Sequence, residues 1–296
     1  MFLKSGLAAS ALGFPALGQV RGANDRVQVA LIGCGGRGAQ VTASLARRSD
    51  VECSQVCDIH EERLVRIADH MAEQQGGRKP LLARRMEEVF ANKGVDAVVV
   101  ATPDHWHTPA AILACQAGKD VYVEKPFSHN IWEGRKLVEA ARKYKRIVQV
   151  GTQNRSAPYN HAAREYIRSG RLGDVRLVKV FNLKGGGPFY LGKSGSPPKG
   201  FSWKTWLGPA KTRPYHSRIF HAGWHYFWDY SGGDLADCGI HQLDLALMVM
   251  GDPAAPAAVS ASGGRIQHRG DDAEVPDVEI LQYDYPGFVM TFEHSH

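Results

Sequence analysis

Val27 to Gly33 (VQVALIG) is an apolar run with β-branched residues, the pattern of a strand buried on both faces. A glycine-rich turn and a helix to about Arg48 follow, and Val51 to Cys57 reads as a second strand. Asp96 to Ala101 (DAVVVA), Asp120 to Val123 (DVYV) and Ile147 to Val150 (IVQV) are three more such runs. Helical stretches lie between them, at Glu61 to Gln75, Thr108 to Ala117 and Ile131 to Tyr144. Strand and helix alternating through short connections predict a parallel sheet covered by helices on both faces, ending near Val150.

Beyond Gly151 the rhythm changes. A helix (His161 to Ser169) leads to a longer strand (Val175 to Leu183), a Gly/Pro/Ser-rich loop (Gly185 to Gly200) and an aromatic-dense segment (Phe201 to Tyr230). A helix around Asp237 to Met250 and strands near Ala257 to Ser262, Val278 to Tyr285 and Phe288 to His294 complete the pattern. Successive strands joined by turns such as Tyr285-Pro286-Gly287 predict an antiparallel sheet. The expected fold is therefore α/β: a doubly wound parallel sheet over 26–150, then an α+β domain over 151–296 with an open, mainly antiparallel sheet. The pattern stops at His296 in mid-run, so that second sheet is expected to be incomplete.

Residues 1–23 read differently, with Lys4 ahead of an Ala/Gly-rich apolar run and small residues at Ala16 and Gly18 where a signal peptidase could cut. The run is too short and glycine-rich to span a bilayer. FLKSG resembles the part of a twin-arginine export signal that follows the arginine pair, although no pair precedes it. Export to the periplasm is the expectation, a cytoplasmic N-terminus the alternative.

Composition narrows the class. The 296 residues are 44% hydrophobic and 22% charged, which excludes disorder, collagen and coiled coil. The net charge of +6 is spread along the chain, so no nucleic-acid partner is expected, only a groove that favours anions. Five cysteines form an odd, sparse set unlike a disulfide framework, and Cys53 and Cys57 read as core thiols.

Gly33-Cys34-Gly35-Gly36-Arg37-Gly38 follows the first strand and opens a helix, the setting in which GxGxxG carries meaning. Gly33 permits the tight turn, Gly35 lets the backbone approach a pyrophosphate, Gly38 lets helix and strand pack, and the helix N-terminus attracts negative charge. Asp58, 20 residues past Gly38 at the end of the second strand, can accept hydrogen bonds from an adenosine ribose. A carboxylate there repels a 2′-phosphate, which favours NAD; Arg37 and Arg63 are near enough in sequence to keep NADP as the alternative.

Thr102-Pro103-Asp104-His105-Trp106-His107 and Glu124-Lys125-Pro126 follow two of the apolar runs, and Gly232 to Asp244 reads GGDLADCGIHQLD. With these the sequence resembles the glucose-fructose oxidoreductase / inositol dehydrogenase / rhizopine-catabolism (Gfo/Idh/MocA) family, from about Arg26 to the C-terminus. The resemblance implies a Rossmann domain followed by an open sheet that carries substrate and oligomer contacts, hence a homodimer or homotetramer. It also implies that Lys125, Asp237 and His241 form the catalytic set, and that Glu124 and the Thr102-Pro103 turn touch the nicotinamide ribose.

Independent chemistry agrees with that set. Strand ends in an open α/β sheet face the ligand crevice, and 102–107 and 124–126 are strand ends. An ammonium at Lys125 beside a nicotinamide would stabilise the alkoxide formed as a secondary alcohol gives up hydride. Asp237 and His241, four apart in a predicted helix, share one face, and Asp244 continues it. His241 can take the hydroxyl proton while Asp237 orients or charges it, although spacing does not decide which of the two accepts it.

Other residues fill in the cleft. His105 and His107 form an H-x-H pair that lacks a third ligand, so no metal site is expected, and His107 is assigned to the cofactor. Among the aromatics and histidines of His221 to Tyr230, Trp224 and His225 are the candidates for sugar contact. Gln153, Asn154 and Arg155 are expected in the same cleft, with Gln153 toward the cofactor and the other two toward substrate. The insertion from Gly185 to Tyr215 leaves the substrate open. The expected activity is hydride transfer between NAD(P), tightly held, and a secondary hydroxyl of a carbohydrate or cyclic polyol. The alternatives are a glycosidase-like enzyme with transient sugar oxidation, and a non-catalytic cofactor-binding protein.

Overall fold

The computed structural model describes residues 26–296, and the leader expected over 1–23 lies outside them. β1 (Val27–Ile32) shows why a continuous apolar run becomes a central strand. Val29 and Leu31 enter one hydrophobic core, while Ala30 and Ile32 enter another on the opposite face. Helices α1 (Gly36–Ala46) and α2 (Glu61–Gln74) close the first core through Ala43, Leu64, Ile67 and Met71. Helices α3 (Met86–Ala91), α4 (Asp104–Gln116) and α5 (Ile131–Tyr144) close the second through Val89, Ala110, Ala114 and Leu137.

With β2 (Val51–Cys57), β3 (Leu81–Ala83), β4 (Ala97–Val100), β5 (Asp120–Val123) and β6 (Val148–Val150), β1 forms a sheet in the order β3-β2-β1-β4-β5-β6. Every neighbouring pair is parallel. The order reverses between β1 and β4, and a ligand crevice opens at such a reversal, beyond the strand C-termini. The strand β3 escapes a reading based on apolar runs because Leu81 and Leu82 are exposed at the sheet edge.

α4 starts at Asp104, a full turn before the expected Thr108. Pro109 sits inside it, and a proline normally marks a first turn, which is why the pattern suggests a later start. The extra turn is tied down by buried histidines. His107 contacts the Thr102 and Pro126 carbonyls at 2.8 and 2.7 Å, and His105 contacts the Trp206 carbonyl at 2.9 Å.

After α6 (Pro158–Arg168) comes β7 (Leu177–Leu183), then two short helices, α7 (Trp203–Leu207) and α8 (Ser217–His221). A π-helical turn, Leu235–Gly239, leads into α9 (Ile240–Val249), followed by β8 (Ala258–Gly264), β9 (Val278–Tyr285) and β10 (Phe288–Ser295). The second sheet runs β7-β10-β9-β8: antiparallel but for β10, which returns to lie parallel to β7. Val180, Leu281, Met290 and Phe292 pack beneath Leu243 of α9. The other face exposes Leu177, Phe181, Leu183 and Ile280.

Much of the aromatic-dense segment is a third core: Trp203, Trp206, Phe220, Phe227 and Tyr230 are buried together with Phe189 and Phe201. No helix among the described residues is long and apolar enough to cross a membrane.

Candidate active site

The glycine turn at the end of β1 separates two kinds of glycine. Gly33 has φ +97°, and a Cβ there would lie 2.5 Å from the Ala101 carbonyl oxygen. At Gly38 a Cβ would lie 2.2 Å from the Gly33 oxygen and 3.0 Å from Leu31, so helix and strand touch through it. Gly35 and Gly36 have nothing within 4 Å of such an atom and line a cavity of about 1290 Å³ instead. No side chain caps α1, which leaves its first amides directed at that space. A cradle whose missing side chains face a void beside a helix N-terminus fits the pyrophosphate of a dinucleotide.

Asp58 directly follows β2 and lines the same cavity. Its Oδ2 accepts from the Cys34 amide and its Oδ1 from the His60 amide, both at 2.7 Å, so the carboxylate holds the glycine turn. Burial raises its pKa, and the two amide bonds oppose that shift. Each oxygen keeps a lone pair for a ribose hydroxyl. Arg63 and Arg66 also line this end, and the Arg63 guanidinium lies 4.3 Å over the Phe220 ring.

Further along, the ends of β4 and β5 deliver Thr102, Pro103, Glu124 and Lys125 to the cavity wall. Glu124 is buried; its Oε1 accepts from Arg37 Nε at 2.8 Å, and Arg37 also donates to Gln153 at 3.2 Å. The π-helical turn and α9 bring Asp237 and His241 to the opposite wall. Lys125 Nζ donates to Asp237 Oδ1 at 2.5 Å and to the Asp237 carbonyl at 2.9 Å. Burial works against ionisation of Asp237, but His225 and Lys125 outweigh it and hold its carboxyl below the usual range. His241 is lowered by burial and then by Lys125, which leaves a neutral imidazole at neutral pH, and its Nδ1 is buried without a partner among the described residues. Trp224 and His225 line the cavity with their rings 3.5 Å apart, and burial lowers His225 as well.

The cavity thus gathers Lys125, Asp237 and His241 with Gly33, Gly35, Gly36, Arg37, Asp58, Thr102, Pro103, His107, Glu124, Gln153, Trp224 and His225. Gly38 stands behind it as a packing glycine. His107 lies in a helix rather than a strand-like segment, with both ring nitrogens taken by main-chain carbonyls, so it braces the walls. Two expected substrate residues are elsewhere: neither Asn154 nor Arg155 lines the cavity. Arg155 is spent on Asp244 and Asp252, each at 2.8 Å, and Asp244, expected on the face of Asp237 and His241, turns to it.

Asp104 is a site residue that sequence reasoning passes over. It lines the cavity at 3% exposure, accepts from Ser231 Oγ at 2.6 Å, and burial pushes its pKa up to about 8. An acid in the first turn of a helix reads as a dipole partner, and nothing local signals its burial. A second cavity, about 460 Å³, shares His221, His225 and Asp237 with the first and extends past them to Lys184 and Asp234.

Comparison with known proteins matches residues 27–152 to the Gfo/Idh/MocA oxidoreductase family, NAD-binding Rossmann fold, and residues 186–286 to the C-terminal alpha/beta domain of the same family. An uncharacterized oxidoreductase of Streptococcus pneumoniae is 26% identical over 245 residues, 83% of this chain and 55% of that protein. An inositol 2-dehydrogenase of Rubrobacter xylanophilus is 32% identical over 168 residues, 54% of this chain and 45% of that protein. The chain therefore spans about half the length of these relatives. The crystal structure of GenD2 from gentamicin A biosynthesis, in complex with NAD, shares the fold with a TM-score of 0.69 at 24% identity, covering 95% of this chain and 69% of that one.

Proposed function

The chain belongs to the Gfo/Idh/MocA oxidoreductase family, and on that premise we propose that it transfers hydride between a nicotinamide dinucleotide and a secondary hydroxyl of a carbohydrate or cyclic polyol. The observation that carries the reading is the Lys125–Asp237 contact, made across a cavity whose far end is built from the glycine turn and Asp58. Asp58 favours NAD, since its carboxylate repels a 2′-phosphate. Of Arg37 and Arg63, on which the NADP alternative rests, Arg37 is held by Glu124 and Gln153, while Arg63 lines the Asp58 end together with Arg66 and keeps NADP as the alternative.

Nicotinamide, when bound, supplies the hydride acceptor. The chain's own residues handle charge and protons. Lys125 presents an ammonium to the substrate oxygen, where an alkoxide develops, and Asp237 fixes that ammonium in place. His241, a neutral imidazole on the cavity wall, takes the hydroxyl proton. Glu124, held by Arg37, and the Thr102-Pro103 turn are assigned to the nicotinamide ribose. Trp224 and His225 offer apolar faces and a polar edge to the sugar. Over 1–23 we infer an export leader, and with it a cofactor held tightly enough to be recycled; the exposed face of the second sheet is assigned to homo-oligomer contacts.

The test is to purify the protein without added cofactor, identify any dinucleotide by mass spectrometry, and follow NADH absorbance over a panel of sugars and polyols. Net NADH formation with a member of the panel is expected. Sugar cleavage with no net NADH would replace the proposal by a redox-neutral mechanism. No dinucleotide, bound or bindable, would overturn it.

A further inference from the structure

A group of potential metal-ligating side chains lies at the end of β10 beside Asp234, which lines the smaller cavity, and the proposed hydride transfer does not use it. His294 and His296 are alternate residues of an extended segment and lie on the same side of it, facing Asp234 at the entry to the π-helical turn. One nitrogen from each histidine and an Asp234 oxygen lie within 4.8 Å of one another.

The proton inventory at His294 is the decisive detail. Its Nδ1 lies 2.8 Å from the carbonyl oxygen of Asn182, its register partner on β7. A carbonyl only accepts, so at this distance Nδ1 is the donor, against a longer 3.5 Å approach of the Asn182 side-chain amide, and Nε2 is available as a ligand. That nitrogen is buried, has no hydrogen-bond partner among the described residues, and lies 3.4 Å from Asp234 Oδ2. A buried ring nitrogen and a carboxylate oxygen face each other at that distance, an arrangement that a cation held between them would satisfy.

His296 adds a third donor, its Nε2 2.7 Å from the same Oδ2. Oδ1 of Asp234 is occupied by the Lys184 ammonium, which fixes the carboxylate and leaves Oδ2 to the histidines. Nitrogen and oxygen ligands about 2.0–2.1 Å from a tetrahedral ion stand roughly 3.3 Å apart. The His294 spacing already matches, and His296 has to open by about half an ångström. A histidine that gives its other N–H to a main-chain carbonyl is also the usual support of a metal-ligating imidazole. Asp237 and Cys238 place further donors against Asp234.

We propose that Asp234, His294 and His296 form a binding site for a divalent transition-metal cation of the zinc type, joined to the smaller cavity through Asp234. Two imidazoles and one carboxylate select zinc, cobalt or nickel over magnesium and calcium.

The experiment uses the full chain, stripped with EDTA and titrated with Zn²⁺ by calorimetry and with Co²⁺ by visible absorption. Saturable binding of about one equivalent is expected, with d–d bands for Co²⁺. His294→Ala and Asp234→Asn should weaken binding by more than the roughly 10–100-fold that follows loss of a supporting hydrogen bond. His70→Ala, a surface control on α2, should leave it unchanged. Lys184→Met keeps every donor and removes a neighbouring positive charge, so it should tighten binding; it also decides the matter if the ligand variants lose their circular dichroism signal. Absence of saturable binding, binding indifferent to His294→Ala, or unchanged affinity in Lys184→Met would overturn the proposal. None of these readouts needs a substrate, so failure here is separate from failure of the oxidoreductase reading.

Discussion

Lys125 Nζ and Asp237 Oδ1 stand 2.5 Å apart although 112 residues separate them, and this contact joins the end of β5 to the π-helical turn before α9. If the ammonium steadies developing negative charge, its loss is felt in turnover more than in binding. Lys125→Ala is expected to lower kcat by about 10²-fold or more. Dinucleotide affinity, read by protein fluorescence, should stay within about threefold of wild type, as the glycine turn and Asp58 carry it. A kcat drop of under about threefold would remove Lys125 from the mechanism.

The glycine turn gives a paired prediction, because two of its glycines are needed for different reasons. A methyl at Gly38 would meet the Gly33 carbonyl at 2.2 Å, whereas one at Gly36 meets nothing but projects into the cavity. Gly38→Ala should therefore destabilise the fold by about 1–3 kcal/mol, seen as a lower Tm. Gly36→Ala should keep the Tm and weaken dinucleotide binding instead. A Tm loss at Gly36 equal to that at Gly38 would mean that the turn is purely structural.

Which residues could be read ahead of the structure follows from how local their signals are. The central strands were legible because parallel strands buried on both faces are apolar throughout, as β1 shows by feeding alternate residues to two cores. The edge strand β3 was not, since Leu81 and Leu82 face outward. Gly33, Asp58 and Glu124 sit where motif and strand end coincide, so spacing placed them on the cavity. Arg155 misled for the converse reason: it follows a strand end as a cleft residue would, but its partners Asp244 and Asp252 come from distant chain. Asp104 and the His294–Asp234 contact depend on burial and long-range packing, which a sequence pattern does not encode.

Asp104 makes stability depend on pH. Burial holds its proton up to about 8 in the folded protein, against an ordinary value of 3.8. The folded state thus binds the proton more tightly than the unfolded chain. This contribution is complete below pH 3.8 and is lost as pH rises through about 8. Asp104→Asn, a neutral side chain that can still accept from Ser231, escapes that loss. Wild type and variant should melt alike near pH 4, and the variant's Tm should rise relative to wild type up to pH 8, by roughly 2–4 °C for each kcal/mol. A Tm difference independent of pH would show that Asp104 is ionised throughout.

Arg155 separates a binding role from a structural one. The turn that follows β6 carries Arg155, whose guanidinium reaches Asp244 on α9 and Asp252 just beyond it, tying the end of the parallel sheet to the helix that delivers His241. Removing it leaves Asp244, largely buried, without its cation. Arg155→Ala should lower stability by about 1–3 kcal/mol, measured by urea unfolding. If the pair only braces α9, kcat falls with the misplacement of His241 while KM for the sugar changes little, because Arg155 does not reach the cavity. Arg155→Lys should recover only part of the stability, since one ammonium cannot engage both carboxylates as the planar fork does. A rise in KM at unchanged stability would instead put Arg155 on the substrate and mean that the cleft extends to the α9 joint.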